Sequence, residues 1–95
     1  MLALIAKMKV KEGQEANFEK FAVELAAQVE ANEPGNKLYK LCKDPGGEYV
    51  FVELYEDQAA LGAHQQTPHF KAAGPKFAEA LDGRPDIKVL TVVGD

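Results

Sequence analysis

The sequence predicts a single α+β domain, residues 1–95, in the order strand, helix, strand, strand, helix, strand. Residues 2–10 alternate apolar side chains, and residues 86–93 are rich in β-branched ones, as strands are. The turn Asp-Pro-Gly-Gly at residues 44–47 joins two short strands into a hairpin. Two strand–helix–strand crossovers around a hairpin give a ferredoxin-like βαββαβ fold. We therefore expect a four-stranded antiparallel sheet with two helices on one face.

Composition and charge exclude several classes of protein. The chain is 46% hydrophobic and 27% charged, which is typical of a globular domain. Its net charge of −4 argues against nucleic acid or an anionic membrane as the main partner. No apolar run approaches the ~20 residues of a membrane span. Because Cys42 is the only cysteine and no leader pattern is visible, we expect a cytoplasmic protein.

Two amphipathic helices are predicted. The first carries apolar residues at helical spacing and ends before Pro34-Gly35; its stripe consists of Phe18, Phe21, Ala22, Leu25 and Val29. The second begins at Asp57, an N-cap residue, and restarts at Thr67-Pro68, where threonine caps and proline takes the first helical position. Gly74-Pro75 predicts a kink or a short break further along.

The third strand has two unlike faces. The aliphatic face is expected to lie under the helices and consists of Val50, Val52 and Leu54. The aromatic face is expected to point the other way and consists of Tyr49, Phe51, Glu53 and Tyr55. So apolar an open sheet face is unusual on a monomer. The sequence therefore predicts a homodimer through the open sheet face.

The candidate site lies in residues 49–70, which contain both histidines and the oddly placed Glu53. His64 is the first candidate for a general base, because imidazole titrates near neutral pH. Glu53 is the second candidate, as a group that orients the imidazole or accepts the proton itself. The alternative is that both are structural. His69, five residues after His64, is expected on a different helix face, so no metal site is predicted.

The motif residues resemble a known family. The pattern Glu33-Pro34-Gly35-Asn36 precedes Tyr39, and Phe51, Glu53, Tyr55, Asp57, Ala60 and His64 are followed by Thr67-Pro68-His69-Phe70. These motifs resemble the antibiotic biosynthesis monooxygenase (ABM) domain over almost the whole chain. The resemblance implies a dimeric α+β barrel, and in many members cofactor-independent oxidation of quinols, anthrones or related phenols. The candidate substrate-binding residues are Tyr39, Phe51, Tyr55, His69 and Phe70, although the aromatic ones would equally serve as dimer core.

Two positions depart from relatives of this kind. Haem-degrading members carry a histidine about where this chain has Gly74, so no haem is expected. An aromatic that is often tryptophan is Tyr55 here, and the chain has no tryptophan.

Three functions remain open at this point. The first is a cofactor-free monooxygenase, in which a base removes a proton and the anion reduces O₂ directly. The second is an isomerase or tautomerase of a small carbonyl compound, phosphorylated in some relatives, that uses the same acid and base. The third is a dimeric module that binds a small ligand without catalysis.

Overall fold

A computed structural model describes residues 1–94 of the protein. The elements follow the predicted order, and the second helix restarts at Thr67-Pro68 as predicted, which divides it into two helices. They are β1 (Leu2–Met8), α1 (Glu15–Asn32), β2 (Asn36–Lys43), β3 (Tyr49–Tyr55), α2 (Gln58–Gln65), α3 (Pro68–Ala80) and β4 (Asp86–Thr91). The fold is ferredoxin-like α+β, as predicted.

The four strands form one antiparallel sheet in the order β2-β3-β1-β4. Leu4 of β1 pairs with Glu53 of β3 on one side and with Val89 of β4 on the other. Paired residues in neighbouring strands point to the same face of a sheet. Leu4, Glu53 and Val89 therefore share one face, which is the face that the helices cover.

Helix α1 packs on this face through the stripe predicted from its spacing. Phe18, Phe21, Ala22, Leu25 and Val29 are its buried residues. Phe18 is fully buried, and its ring lies 4.8 Å from that of Tyr49 and 6.0 Å from that of Phe77. Within residues 1–94, no helix has the length and hydropathy needed to cross a membrane.

The predicted orientation of β3 is wrong. Tyr49, Phe51, Glu53 and Tyr55 are all buried on the helix side, with 0–5% exposure. Their alternate neighbours are half-buried on the opposite side. The alternation of side chains assigns the residues of β3 to its two faces correctly. It does not show which face the helices cover, because both faces are apolar enough to be buried. Glu53, the acid on the aromatic face, has a hydrogen-bond partner inside the protein, so its presence does not identify the exposed face.

The open sheet face is consequently aliphatic rather than aromatic. Ile5 of β1 pairs with Val52, and Ala3 pairs with both Leu54 and Leu90. These side chains are half-buried or, for Leu90, 47% exposed. The sheet face on which the dimer interface was predicted is therefore apolar, but it consists of different residues from those predicted.

The two predicted helix starts are present, and the chain is not broken at Gly74-Pro75. Asp57 accepts a hydrogen bond from the Ala60 amide (2.8 Å), and Thr67 accepts one from the Phe70 amide (3.3 Å). Helix α3 then continues through Gly74-Pro75 to Ala80. The second helical segment is therefore divided once, at Gln66-Thr67 beside the predicted cap, and not a second time at Gly74-Pro75.

Candidate active site

A cavity of about 310 Å³ lies between the sheet and helices α2 and α3. Its apolar wall comes from β1, β3, β4 and both helices and includes Leu4, Ala6, Phe51, Leu61, Phe70, Phe77, Ile87 and Val89. Ile87 and Val89 face the helix side but are 54% and 50% exposed. The helices thus leave β4 uncovered, and the cavity opens there. Its volume lies at the lower end of the ~300–1,000 Å³ typical of small-molecule sites.

His64, near the end of α2, lines this cavity and is 2% exposed. Its Nδ1 lies 2.9 and 3.0 Å from the two carboxylate oxygens of Glu33. Because a carboxylate only accepts hydrogen bonds, Nδ1 carries the proton and Nε2 has a free lone pair. Burial lowers the pKa of His64, and the charge of Glu33 partly offsets this. The imidazole is therefore neutral at neutral pH and able to accept a proton.

The Nε2 atom of His64 is partly accessible. Among residues 1–94, every buried side-chain nitrogen and oxygen atom has a hydrogen-bond partner. Among these residues Nε2 of His64 has no hydrogen-bond partner, so this atom is not fully buried. The same reasoning applies to the hydroxyl of Tyr39 and to Oε2 of Glu53, whose residues also line the cavity. Three residues that line an otherwise largely apolar cavity thus each carry a polar atom without a hydrogen-bond partner among residues 1–94.

Glu53 lies in the middle of β3, where its Oε1 accepts a hydrogen bond from the Tyr55 hydroxyl (2.6 Å). Burial raises the pKa of Glu53 to about 7; the charge of Glu33 adds to this, and the Tyr55 hydrogen bond partly opposes it. Burial, together with the charges of Glu53 and Glu33, also raises the pKa of Tyr39. Near neutral pH, Glu53 is thus poised between its two protonation states, while Tyr39 remains a neutral hydrogen-bond donor.

Glu33 is the site residue that the sequence analysis did not select. It ends α1, and its carbonyl accepts a hydrogen bond from the Asn36 amide (3.0 Å) across Pro34-Gly35. A Cβ at Gly35 would lie 2.6 Å from that of Ala60, so only glycine lets α2 approach this closely. The tight turn and the close approach bring Glu33 beside His64, 31 residues later. The only signal in the sequence was its place in the Glu-Pro-Gly-Asn motif.

Two expectations about the histidines are corrected. Glu33, and not Glu53, orients the imidazole of His64. His69 does not diverge from His64, because its Nε2 lies 2.5 Å from Oε2 of the same Glu33 carboxylate. The break at Gln66-Thr67 changes the chain direction, so helical spacing no longer applies between the two rings. No cluster of three or more potential metal ligands occurs among residues 1–94.

The predicted substrate-binding residues fall into two groups. Tyr39, Phe51 and Phe70 line the cavity with His64 and Glu53. The rings of Tyr39 and Phe70 lie 5.4 and 4.5 Å from that of His64. Two others lie outside the wall and contact a neighbour, namely Tyr55, which hydrogen-bonds to Glu53, and His69, which hydrogen-bonds to Glu33.

Comparison with known proteins places the chain in a family. The family model described as "Antibiotic biosynthesis monooxygenase" matches residues 1–76. The chain belongs to the antibiotic biosynthesis monooxygenase family. A member from Bacillus subtilis (strain 168), "Putative monooxygenase YcnE", is 35% identical over 89 residues, covering 92% of this chain and 93% of that protein.

Solved structures of other proteins have the same fold. A protein from Caulobacter crescentus CB15, described as a "putative antibiotic biosynthesis monooxygenase", matches with a TM-score of 0.94 at 39% identity. The match covers 98% of this chain and 90% of the other. Rv0793 from Mycobacterium tuberculosis has a TM-score of 0.91 at 23% identity, covers 99% and 96% of the two chains, and supports the fold alone.

Changing Glu53 to glutamine should remove a pH dependence of stability. Because the folded protein raises the pKa of Glu53 from 4.5 to about 7, it binds this proton more tightly than the unfolded chain does. Protonated Glu53 therefore makes its full contribution to the free energy of unfolding below pH 4.5, and this contribution is lost as the pH rises to about 7. The whole difference is on the order of 3 kcal/mol. The amide of Glu53→Gln still accepts the Tyr55 hydrogen bond but does not ionise.

Urea unfolding at about pH 5 and about pH 8 measures this difference for both proteins. We expect Glu53→Gln to gain stability relative to the unaltered protein at the higher pH, by about 2–3 kcal/mol. All other titrating groups are common to the two proteins and cancel in the comparison. An equal change with pH in both would mean that Glu53 is not buried as described.

Proposed function

We propose that the protein is a cofactor-free monooxygenase that oxidises a small quinol or related phenol with O₂ in the cavity beneath its helices. One observation carries the proposal: the neutral His64 lines the cavity, its Nε2 has no hydrogen-bond partner among residues 1–94, and Glu33 holds its Nδ1–H. A base held by a carboxylate in this way is oriented, and the imidazolium formed on proton transfer is stabilised.

The reaction follows from proton removal. Nε2 of His64 accepts the phenolic proton, and the electron-rich anion transfers one electron to O₂. Superoxide and the organic radical combine at a ring carbon to give a peroxide, and loss of water leaves a hydroxyquinone. One oxygen atom enters the product, and the other leaves as water with two hydrogens from the quinol. The apolar wall keeps bulk water from the anion, and the Tyr39 hydroxyl is available to bind its oxygen.

Oxygen-18 labelling tests this proposal. The metal-free protein, treated with a chelator, is given naphthohydroquinone under labelled O₂, with the protein-free autoxidation rate subtracted. We expect oxygen uptake and one labelled atom per product. Hydroxyquinone without the label would show that its added oxygen comes from water, and quinone with hydrogen peroxide would indicate a simple oxidase.

Glu53 favours isomerisation as a second candidate function. Its pKa of about 7 suits a group that returns a proton to a different carbon after His64 has removed one. Such a reaction consumes no O₂. Turnover of a small ketose or enolisable ketone that persists under anaerobic conditions would favour this function, whereas strict dependence on O₂ favours the monooxygenase.

Gly74 is expected to control the size of the substrate. It lines the cavity in the interior of α3, and a Cβ there would meet no atom within 4 Å. Gly62 in α2 has equally open space but does not line the cavity. Alanine at either position should raise stability by about 0.5–1 kcal/mol, because glycine weakens a helix interior.

The two alanine variants should differ in ligand binding. Only Gly74→Ala places a methyl group in the cavity, so only it should weaken binding of naphthohydroquinone under anaerobic conditions. Thermal unfolding and a binding titration of both variants measure the two effects. Equal binding by both variants would show that the ligand does not reach Gly74.

The open sheet face is proposed to pair with a second copy. Its aliphatic residues, centred on Ile5 and Val52, would bury each other in a closed two-fold dimer. Light scattering across micromolar concentrations should give twice the chain mass of 10.3 kDa. Val52→Glu should give the monomer mass with helix content retained. A monomer mass for the unaltered protein would contradict the dimer.

A further inference from the structure

The Glu33 carboxylate connects two separate regions of the protein. On one side it binds Nδ1 of His64, which lines the cavity. On the other it binds Nε2 of His69, which is outside the cavity. Oε2 of Glu33 contacts both rings, at 3.0 Å and 2.5 Å. The two histidines therefore share one negative charge.

His69 lies beside surface grooves and not in the cavity. Its side chain is 14% exposed and borders surface grooves between α1 and α3, beside Gln28 and Lys76. Neither groove shares a residue with the cavity. Within residues 1–94, Nδ1 of His69 has no hydrogen-bond partner, and every buried polar side-chain atom does, so Nδ1 is not fully buried. His69 thus has one nitrogen on Glu33 and the other available to solvent.

A proton accepted in the cavity creates an electrostatic cost. The His64 ring is surrounded by Tyr39, Tyr55 and Phe70, which provide no compensating charge. Glu33 compensates one positive charge, but it is shared with His69. If both rings were protonated, a buried positive charge would remain uncompensated, which is unfavourable in a medium of low polarity.

We propose that His69 compensates for proton transfer to His64: when His64 takes a proton in the cavity, His69 releases one to solvent in the groove between α1 and α3. The proposed exchange starts from the state in which Glu33 is ionised and His69 carries protons on both nitrogens. His64 then gains the substrate proton on Nε2, and His69 loses its Nδ1 proton to water. The net charge of the three groups is unchanged. When His64 gives up its proton later in the reaction, His69 takes one from water.

The charged groups around each ring support this coupling. His64 faces Glu33 and the phenols of Tyr39 and Tyr55, with Glu53 across the cavity. His69 faces Glu33, with Glu24 and Lys76 along the groove. Burial is the main cause that lowers the pKa of His64, and the charge of His69 adds to it, in the direction that the coupling requires. Glu33 is the only carboxylate among residues 1–94 that hydrogen-bonds to either ring.

Histidine-selective NMR titration of the protein without substrate tests the coupling, since the chain has only two histidines. The test variant is His69→Gln, whose amide nitrogen replaces Nε2 as a donor to Glu33 but does not titrate. We expect the proton affinity of His64 to rise about tenfold, which is one pKa unit. The matched control is Lys76→Met, which removes a positive charge from the same groove without touching Glu33 and should leave His64 unchanged.

The unaltered protein supplies a second measurement that needs no variant. Coupled rings titrate as a pair, so each histidine should show a second inflection at the midpoint of the other. Two independent single steps, or an unchanged His64 midpoint in folded His69→Gln, would overturn the proposal. The role of this coupling in catalysis rests on the proposed function, whereas the titration that tests the coupling involves no substrate. A failed oxygenation assay and a failed coupling are therefore separate results.

Discussion

Changing His64 to asparagine should reduce oxygen consumption by about a hundredfold to ten-thousandfold, the usual contribution of a general base. The asparagine amide replaces Nδ1 as a donor to Glu33, so the hydrogen bond at 2.9 Å can be kept. What is lost is the lone pair of Nε2 in the cavity. His64→Ala should lose the same activity and the hydrogen bond as well, with the dimer intact in both variants.

The pH profile gives an independent check on His64. Only the neutral imidazole accepts a proton, and burial lowers the pKa of His64 below 6.5. Activity should therefore be retained through neutral pH and fall only as the pH drops below that range. Oxygen uptake by folded His64→Asn within a few-fold of the unaltered rate would show that another group is the base, and Glu53 would then be the next candidate.

Changing Phe18 to alanine should have the largest effect on stability, a loss of about 3–5 kcal/mol. Phe18 is fully buried between α1, β3 and α3, with its ring 5.4 Å from Phe21 and 4.8 Å from Tyr49. The substitution removes the apolar contacts of a whole ring and leaves a cavity under α1. A domain of this size has a total stability of roughly 5–14 kcal/mol, so a large share would be lost.

Val23→Ala is the matched control for Phe18→Ala. Val23 lies on the same helix but is 58% exposed, so its truncation should change stability by less than about 0.5 kcal/mol. Urea unfolding of the two variants, with equal slopes, measures the difference. A loss below about 1 kcal/mol in Phe18→Ala would mean that α1 does not pack on the sheet through this face.

The order of elements could be predicted because each depends on local signals. The stripe from Phe18 to Val29 determines the buried face of α1. Asp57 and Thr67 each begin a helix, because their side chains accept a hydrogen bond from the amide three residues later. Such signals require no knowledge of distant residues. The same holds for β1, whose apolar residues on both sides indicated a central strand.

The orientation of β3 and the hydrogen bonds of the site depend on contacts distant in sequence. Alternation divides β3 into two faces but does not say which one the helices cover when both are apolar. Glu33 and His64 are 31 residues apart, and their contact depends on the turn at Pro34-Gly35 and the approach of α2. The convergence of the histidines on Glu33 depends on a change of chain direction at Gln66-Thr67. None of these is a property of one local pattern.

We propose that the substrate binds on the helix side of the sheet, beside His64. An anaerobic NMR titration with naphthohydroquinone, with histidine rings and backbone amides labelled, tests it most directly. We predict that the ring signals of His64 shift on binding, together with the amides of Gly74 and Phe70. Shifts confined to Val50, Val52 and Leu54 on the open sheet face, with His64 unmoved, would contradict it.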